Sequence, residues 1–279
     1  MTVDHPIVVR TAWPYFANSV LAAVVGVVLA RWIEQFGIAV TGALFGRDAA
    51  INHVVAELGP GDSDLILLGG SVTLVVVAVV LVMLFPSAVD RGAGKLVLLW
   101  TALHSFRIVF VDMAMLPVSD EGTLARAIAG IDLPAGLDIV LAAAGVMGMV
   151  LVSVAAAAAF LGFARHRTEV ATPAERLRFV ASIALVPGII APLLAVAFFA
   201  PAGETGILTT LPFVGMFTLI TLAAAPATHH FQPPRLVEER GLSVGLLIVV
   251  AGLFLCKLLL QPGVPIPPWD ENLDFTFRT

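Results

Sequence analysis

P-Y-F-A-N-S-V-L-A-A-V-V-G-V-V-L-A-R-W-I-E-Q-F-G-I-A-V-T-G-A-L-F-G, residues 14–46, decides the class of fold. A helix needs about 20 consecutive apolar residues to cross the hydrocarbon core of a bilayer. This stretch exceeds that. At about 1.5 Å per residue it would reach roughly 50 Å, against a core of about 30 Å. Either one helix tilts and protrudes, or it breaks near residues 31–37 and continues as a short second piece. Six further apolar stretches follow, at 65–85, 96–116, 137–164, 177–200, 207–227 and 241–260. The expectation is therefore an all-α fold, a polytopic transmembrane helix bundle of about seven spans, or six if one weaker stretch is re-entrant. Residues 1–260 form the membrane domain. Residues 261–279, beginning Q-P-G-V-P-I-P-P-W-D-E-N, form a Pro-rich, acidic tail.

Composition agrees. Of 279 residues, 59% are hydrophobic and 13% charged, and the mean hydropathy is +1.01. An ordinary soluble domain carries about 25% charged residues, so a globular cytosolic protein is excluded. The lone cysteine, Cys256, excludes a disulfide framework within one chain and any Cys-cluster zinc site. A net charge of −5 offers no basic footprint for nucleic acid. The partner that composition itself names is the lipid bilayer, and the abundance of Ala, Val and Gly fits a prokaryotic cell membrane. Residues 1–10 lack the apolar region of a signal peptide, so the first span is expected to be retained.

Lys and Arg concentrate in cytoplasmic loops. With seven spans and the N-terminus inside, the inner segments hold Arg10, Arg91, Lys95, Arg165, Arg167, Arg176, Arg178, Arg235 and Arg240. The outer segments hold only Arg47, Arg126 and Arg278, together with a run of acids that includes Asp48, Asp62, Asp64, Asp120, Glu121 and Asp270. The expected orientation is N-terminus in, C-terminus out. Span five carries Pro187-Gly188 and Pro192, and span six carries Pro212 and Pro226. Each proline removes a helix hydrogen bond, and neighbouring groups must satisfy the freed carbonyl.

Ionisable groups within a span are expensive, and each is a functional hypothesis by default. Arg31 and Glu34 are three residues apart and share a helix face, with Gln35 beside them. On the third span stand His104, Arg107 and Asp112. His104 and Asp112 are eight residues apart, about 80° around a helix, so both could face one cavity. A site between spans one and three would gather Arg31, Glu34, His104, Arg107 and Asp112. The plain alternative is a buried structural ion-pair network. Lys257 lies near the end of its span, where snorkelling to the interface explains it.

No H-E-x-x-H, C-x-x-C, G-x-S-x-G or Walker-type phosphate loop occurs. Catalytic residues, metal ligands and cofactors are therefore not assigned. His53 and Glu57 are one helical turn apart, but two ligands do not make a zinc site. His229-His230 has no acids nearby in sequence.

The order of features resembles the M50 (site-2-protease-like) family of intramembrane metalloproteases over roughly residues 30–125. The family pattern opens with H-E-x-x-H on a membrane helix, followed by small residues. The comparable stretch is I-E-Q-F-G-I-A-V-T-G-A-L-F-G, residues 33–46. Glu34 falls at the family's general base, and Ile33 and Gly37 fall at its two histidine ligands. A Gly-Pro hairpin and a small-residue helix start follow in the family. L-G-P-G (58–61) and L-G-G-S-V (68–72) look similar. D-M-A-M-L-P-V-S-D-E-G (112–122) resembles the motif supplying the third ligand, with Asp120 as the ligand equivalent and Asp112 in place of an Asn. Ile and Gly cannot hold zinc. The resemblance therefore implies a non-proteolytic relative, a scaffold or partner for other membrane proteins.

Two other classes compete. A transporter, channel or transport-complex subunit would use the His104, Arg107 and Asp112 cluster and the kinked spans. A retinal-binding protein would pair Asp112 with a Schiff base on Lys257. Against that, the chain has one Tyr and four Trp, and none of them lies in span six.

Overall fold

A computed structural model describes residues 13–52, 56–58, 65–86, 92–119, 122–129, 134, 136–164, 167–199, 211–228, 242–260 and 263–266. Helix is the spanning element that satisfies every backbone N–H and C=O from within its own segment, and the long apolar stretches form helices accordingly. They are α1 (Trp13–Leu44), α2 (Leu65–Leu84), α3 (Ala93–Met115), α5 (Leu137–Leu161), α6 and α7 (Pro173–Val180 and Val186–Phe199), α8 (Leu211–Ala224) and α9 (Val244–Leu260). A short amphipathic piece, α4 (Thr123–Ala129), lies between α3 and α5. Five helices are long and apolar enough to cross a membrane, and the stretches expected as spans six and seven form shorter apolar helices.

The overlong first stretch is one helix, continuous through residues 31–37. Its excess length has a covering. Strands β1 (Ala49–Ile51), β2 (Ala56–Leu58) and β3 (Val264–Ile266) form a small antiparallel sheet in the order β2-β1-β3. This sheet lies along the C-terminal part of α1. The backbone N–H of Ala56 donates to Gln35 Oε1 at 2.6 Å, and Leu58 packs against Gly42. Gln35 is thereby accounted for as a strut between helix and hairpin. The sheet departs from a purely all-α expectation, because strands of three residues are too short to show a periodicity of two. Pro265 is tolerated because β3 is an edge strand.

Helix α1 is the hub of the bundle and packs on α2, α3, α7, α9 and the sheet. It crosses α3 at Gly26, where an added Cβ would stand 2.8 Å from the Trp100 backbone carbon. Small residues at such crossings are how helices approach closely in lipid, where apolar surface alone provides no drive to associate. By contrast, α2 and α5 turn rows of Val, Ile, Leu and Met outward.

Span five is interrupted by a π-helical segment, Ala181–Leu185, between α6 and α7. Pro187 has no N–H to give the carbonyl of Ile183 one turn earlier. That carbonyl accepts from Ser19 Oγ of α1 at 2.6 Å, and Trp100 Nε1 of α3 donates to the same Ser19 oxygen at 3.0 Å. Three helices are tied through one buried hydroxyl. Two further ties recur at the bundle ends. Ser243 N–H, at the start of α9, donates to Asn18 Oδ1 at 2.8 Å. Arg176 Nη2 of α6 donates to the Pro226 carbonyl after α8 at 2.7 Å.

Replacing Ser19 with Ala leaves a buried carbonyl and a buried indole N–H without partners, so Ser19→Ala should destabilise by about 1–2 kcal/mol. Unfolding followed in detergent micelles checks this, and an unchanged midpoint would contradict the three-helix tie.

Candidate functional site

Small residues bring α1 and α2 into direct contact. A Cβ at Gly37 would stand 2.5 Å from Thr73 Oγ1 and 2.7 Å from the Gly69 carbonyl. Across the contact, a Cβ at Gly70 would meet Ile38 Cγ1 at 2.8 Å and Glu34 Cγ at 3.1 Å. Glu34 is thus pressed between the two helices with 1% of its side chain exposed. Its Oε2 accepts from Arg31 Nη1 at 2.8 Å, while Oε1 is buried with no partner among the described residues.

Asp112, near the C-terminal end of α3, has a different task. Its Oδ2 accepts the Leu124 N–H at 3.3 Å, in the first turn of α4, and the carboxylate lies against Gly122. Helix starts leave N–H groups without intrahelical partners and favour negative charge. Asp112 therefore anchors α4 across the end of α3. Asp120, the position matching the family's third ligand, lies outside the described residues, as do His53, His229 and His230.

His104 and Arg107 point the other way. With Trp100, Gly188, Phe217 and Thr218 they line a cavity of about 10 Å³ between α3, α7 and α8. Such a space is marginal for one water molecule. His104 stacks on Trp100, with ring centroids 5.4 Å apart and planes 21° apart. Both His104 nitrogens, Arg107 Nε and Nη1, Thr101 Oγ1 and Ser105 Oγ are buried without hydrogen-bond partners among the described residues. Arg107 nevertheless lies within electrostatic range of Arg31, Glu34 and Asp112. The five residues expected to form one site are therefore arranged as two. Arg31, Glu34 and Asp112 sit toward α2 and α4, His104 and Arg107 toward α7 and α8, and Arg107 links them through its charge. Lys257 is half-buried near the end of α9, its Nζ 5.9 Å from the Phe198 ring centroid.

The M50 resemblance would imply a zinc ion, and the residues do not fit one. Ile33 offers no donor atom, and Gly37 has no room for any side chain. Among the described residues, no group of three His, Cys, Asp or Glu side chains is placed to hold a metal. No hydrolytic step is derived through such an ion. The glycine contact itself was hidden in sequence, because G-G at 69–70 reads equally well as ordinary membrane-helix composition.

Together these features define an integral membrane protein of the helical-bundle class, with buried charges inside its membrane-spanning part. No family model, curated protein or solved structure matches the chain.

Removing Arg31 strands a buried carboxylate, so Arg31→Ala should cost about 3 kcal/mol, and Arg31→Ala/Glu34→Leu should regain most of it. A double-mutant cycle on unfolding in detergent measures this, and simple additivity would remove the pair from the account.

Proposed function

We propose that the protein is a non-catalytic, M50-like membrane scaffold that binds other membrane proteins. One observation carries this reading. The described residues of the three stretches that resemble family motifs, 33–46, 68–72 and 112–119 with Gly122, lie on elements that pack on one another. Gly37 meets Gly69, Glu34 meets Gly70, and Asp112 lies within electrostatic range of Glu34. The Gly-Pro stretch expected between the first two lies, after Leu58, outside the described residues. The space a ligand histidine would need at position 37 is occupied by α2. A hydrolase site has been converted into a helix contact, and a binding surface is what such a relative retains.

The same reading gives the chain seven crossings of the cell membrane, N-terminus inside. Supporting this, the pairing of β1 with β3 brings the ends of α1 and α9 to one side of the bundle, as an odd number of crossings requires.

A second reading, proton or ion transport, is favoured by the polar atoms of His104 and Arg107, without hydrogen-bond partners among the described residues, at the cavity between α3, α7 and α8. Groups of this kind line ion routes in carriers.

Purification of the whole chain in mild detergent separates the two. The scaffold reading predicts a membrane protein that co-purifies in fixed stoichiometry and dissociates when Gly70→Leu disrupts the α1–α2 contact. It also predicts no zinc and no peptide hydrolysis. A solitary chain whose thermal midpoint shifts with pH or ion composition, a shift abolished by His104→Gln, would overturn it in favour of transport.

A further inference from the structure

Helices α2 and α5 both pack on α3, while their principal contacts are not with one another. The furrow left between them over α3 is a cavity of about 350 Å³. Its walls are apolar throughout, formed by side chains such as Val82 and Phe85 of α2, Leu99 and Phe106 of α3, and Val152 and Ala155 of α5. The depth comes from composition. The A-A-A-A-A run at 155–159 supplies side chains too small to fill the gap between flanking helices.

Size and charge indicate the occupant. Along α3 the lining runs from Leu98 to Phe106, about 12 Å at 1.5 Å per residue. An extended hydrocarbon chain matches apolar walls of this length. The furrow is also charged at one end. Lys95, at the start of α3, places Nζ 4.5 Å from the centroid of the Phe85 ring, and Phe85 is itself a wall of the furrow. An ammonium on a flexible stem suits a phosphate as a point charge, and it stands where the apolar lining ends. At the same end of the bundle lie the C-terminus of α5 and the turn carrying Arg167.

We propose that this furrow is a specific site for one anionic phospholipid, with an acyl chain between α2 and α5 and the headgroup phosphate at Lys95. The site is independent of the scaffold reading and fills a different face of the bundle. Binding here would hold α2 and α5 at a fixed separation, since they meet chiefly through α3.

Native mass spectrometry of the detergent-purified full chain tests it. The probes are phosphatidylglycerol and phosphatidylcholine bearing the same acyl chains. The wild type should retain one phosphatidylglycerol with at least a fivefold preference. Lys95→Gln should reduce the preference to parity, and Lys95→Arg should restore it. Ala155→Phe, at an exposed position on the furrow wall, should abolish retention of both lipids without unfolding the bundle. Equal retention by the wild type, an unchanged preference in Lys95→Gln, or undiminished binding in Ala155→Phe would each overturn the proposal. So would cross-linking of the furrow to another polypeptide in place of lipid.

Discussion

The contact of α1 with α2 at Gly37, Gly69 and Gly70 is the constraint on which the rest of the site depends. Between helices in lipid there is no hydrophobic drive to associate, so backbones must come close enough for dispersion and polar contacts to act. The glycines allow that approach, and its consequences follow in order. Glu34 loses access to solvent and takes Arg31 as its counter-charge. Position 37, the glycine of the I-E-Q-F-G stretch, is closed to any side chain. The hairpin is drawn against the remainder of α1, where Gln35 receives the N–H of Ala56.

The bundle is pinned elsewhere by side chains that serve the backbone. Ser19 takes the carbonyl that Pro187 cannot satisfy and is itself held by Trp100. Asn18, one residue earlier, secures the start of α9. Asp112 secures the start of α4. Each is a polar group in an apolar setting, and each is paired with a backbone group that would otherwise be unsatisfied. His104 and Arg107 stand apart from this pattern. They too are buried, yet they serve no backbone group among the described residues.

Much of the architecture was legible from residue type alone. The apolar stretches mark the helices to within a few residues, and Pro187 marks the π-helical interruption of span five, because hydropathy and a missing N–H act locally. Other features are not local. Arg31 and Glu34 pair at a spacing a reader can see, but Asp112 finds its partner at Leu124, across a turn in the chain. His104 and Asp112 share a face on a helical wheel, yet His104 lines the cavity toward α7 and α8 while Asp112 meets α4, so helical spacing alone did not settle what each side chain meets. The sheet escaped because its three strands are short and β3 comes from the far end of the chain. Asp120, expected from the resemblance, falls outside the described residues.

Close packing of α1 on α2 leaves no room for a side chain at Gly37. Comparing the thermal midpoints of Gly37→His and Ile33→His in detergent tests it most directly. Ile33 is half-buried and should accept the change with a modest loss, while Gly37→His should fail to yield folded protein, since its first side-chain atom already collides with Thr73 and Gly69. A Gly37→His protein that unfolds at the wild-type temperature would contradict the account, because it would mean that the space for a ligand side chain is still open.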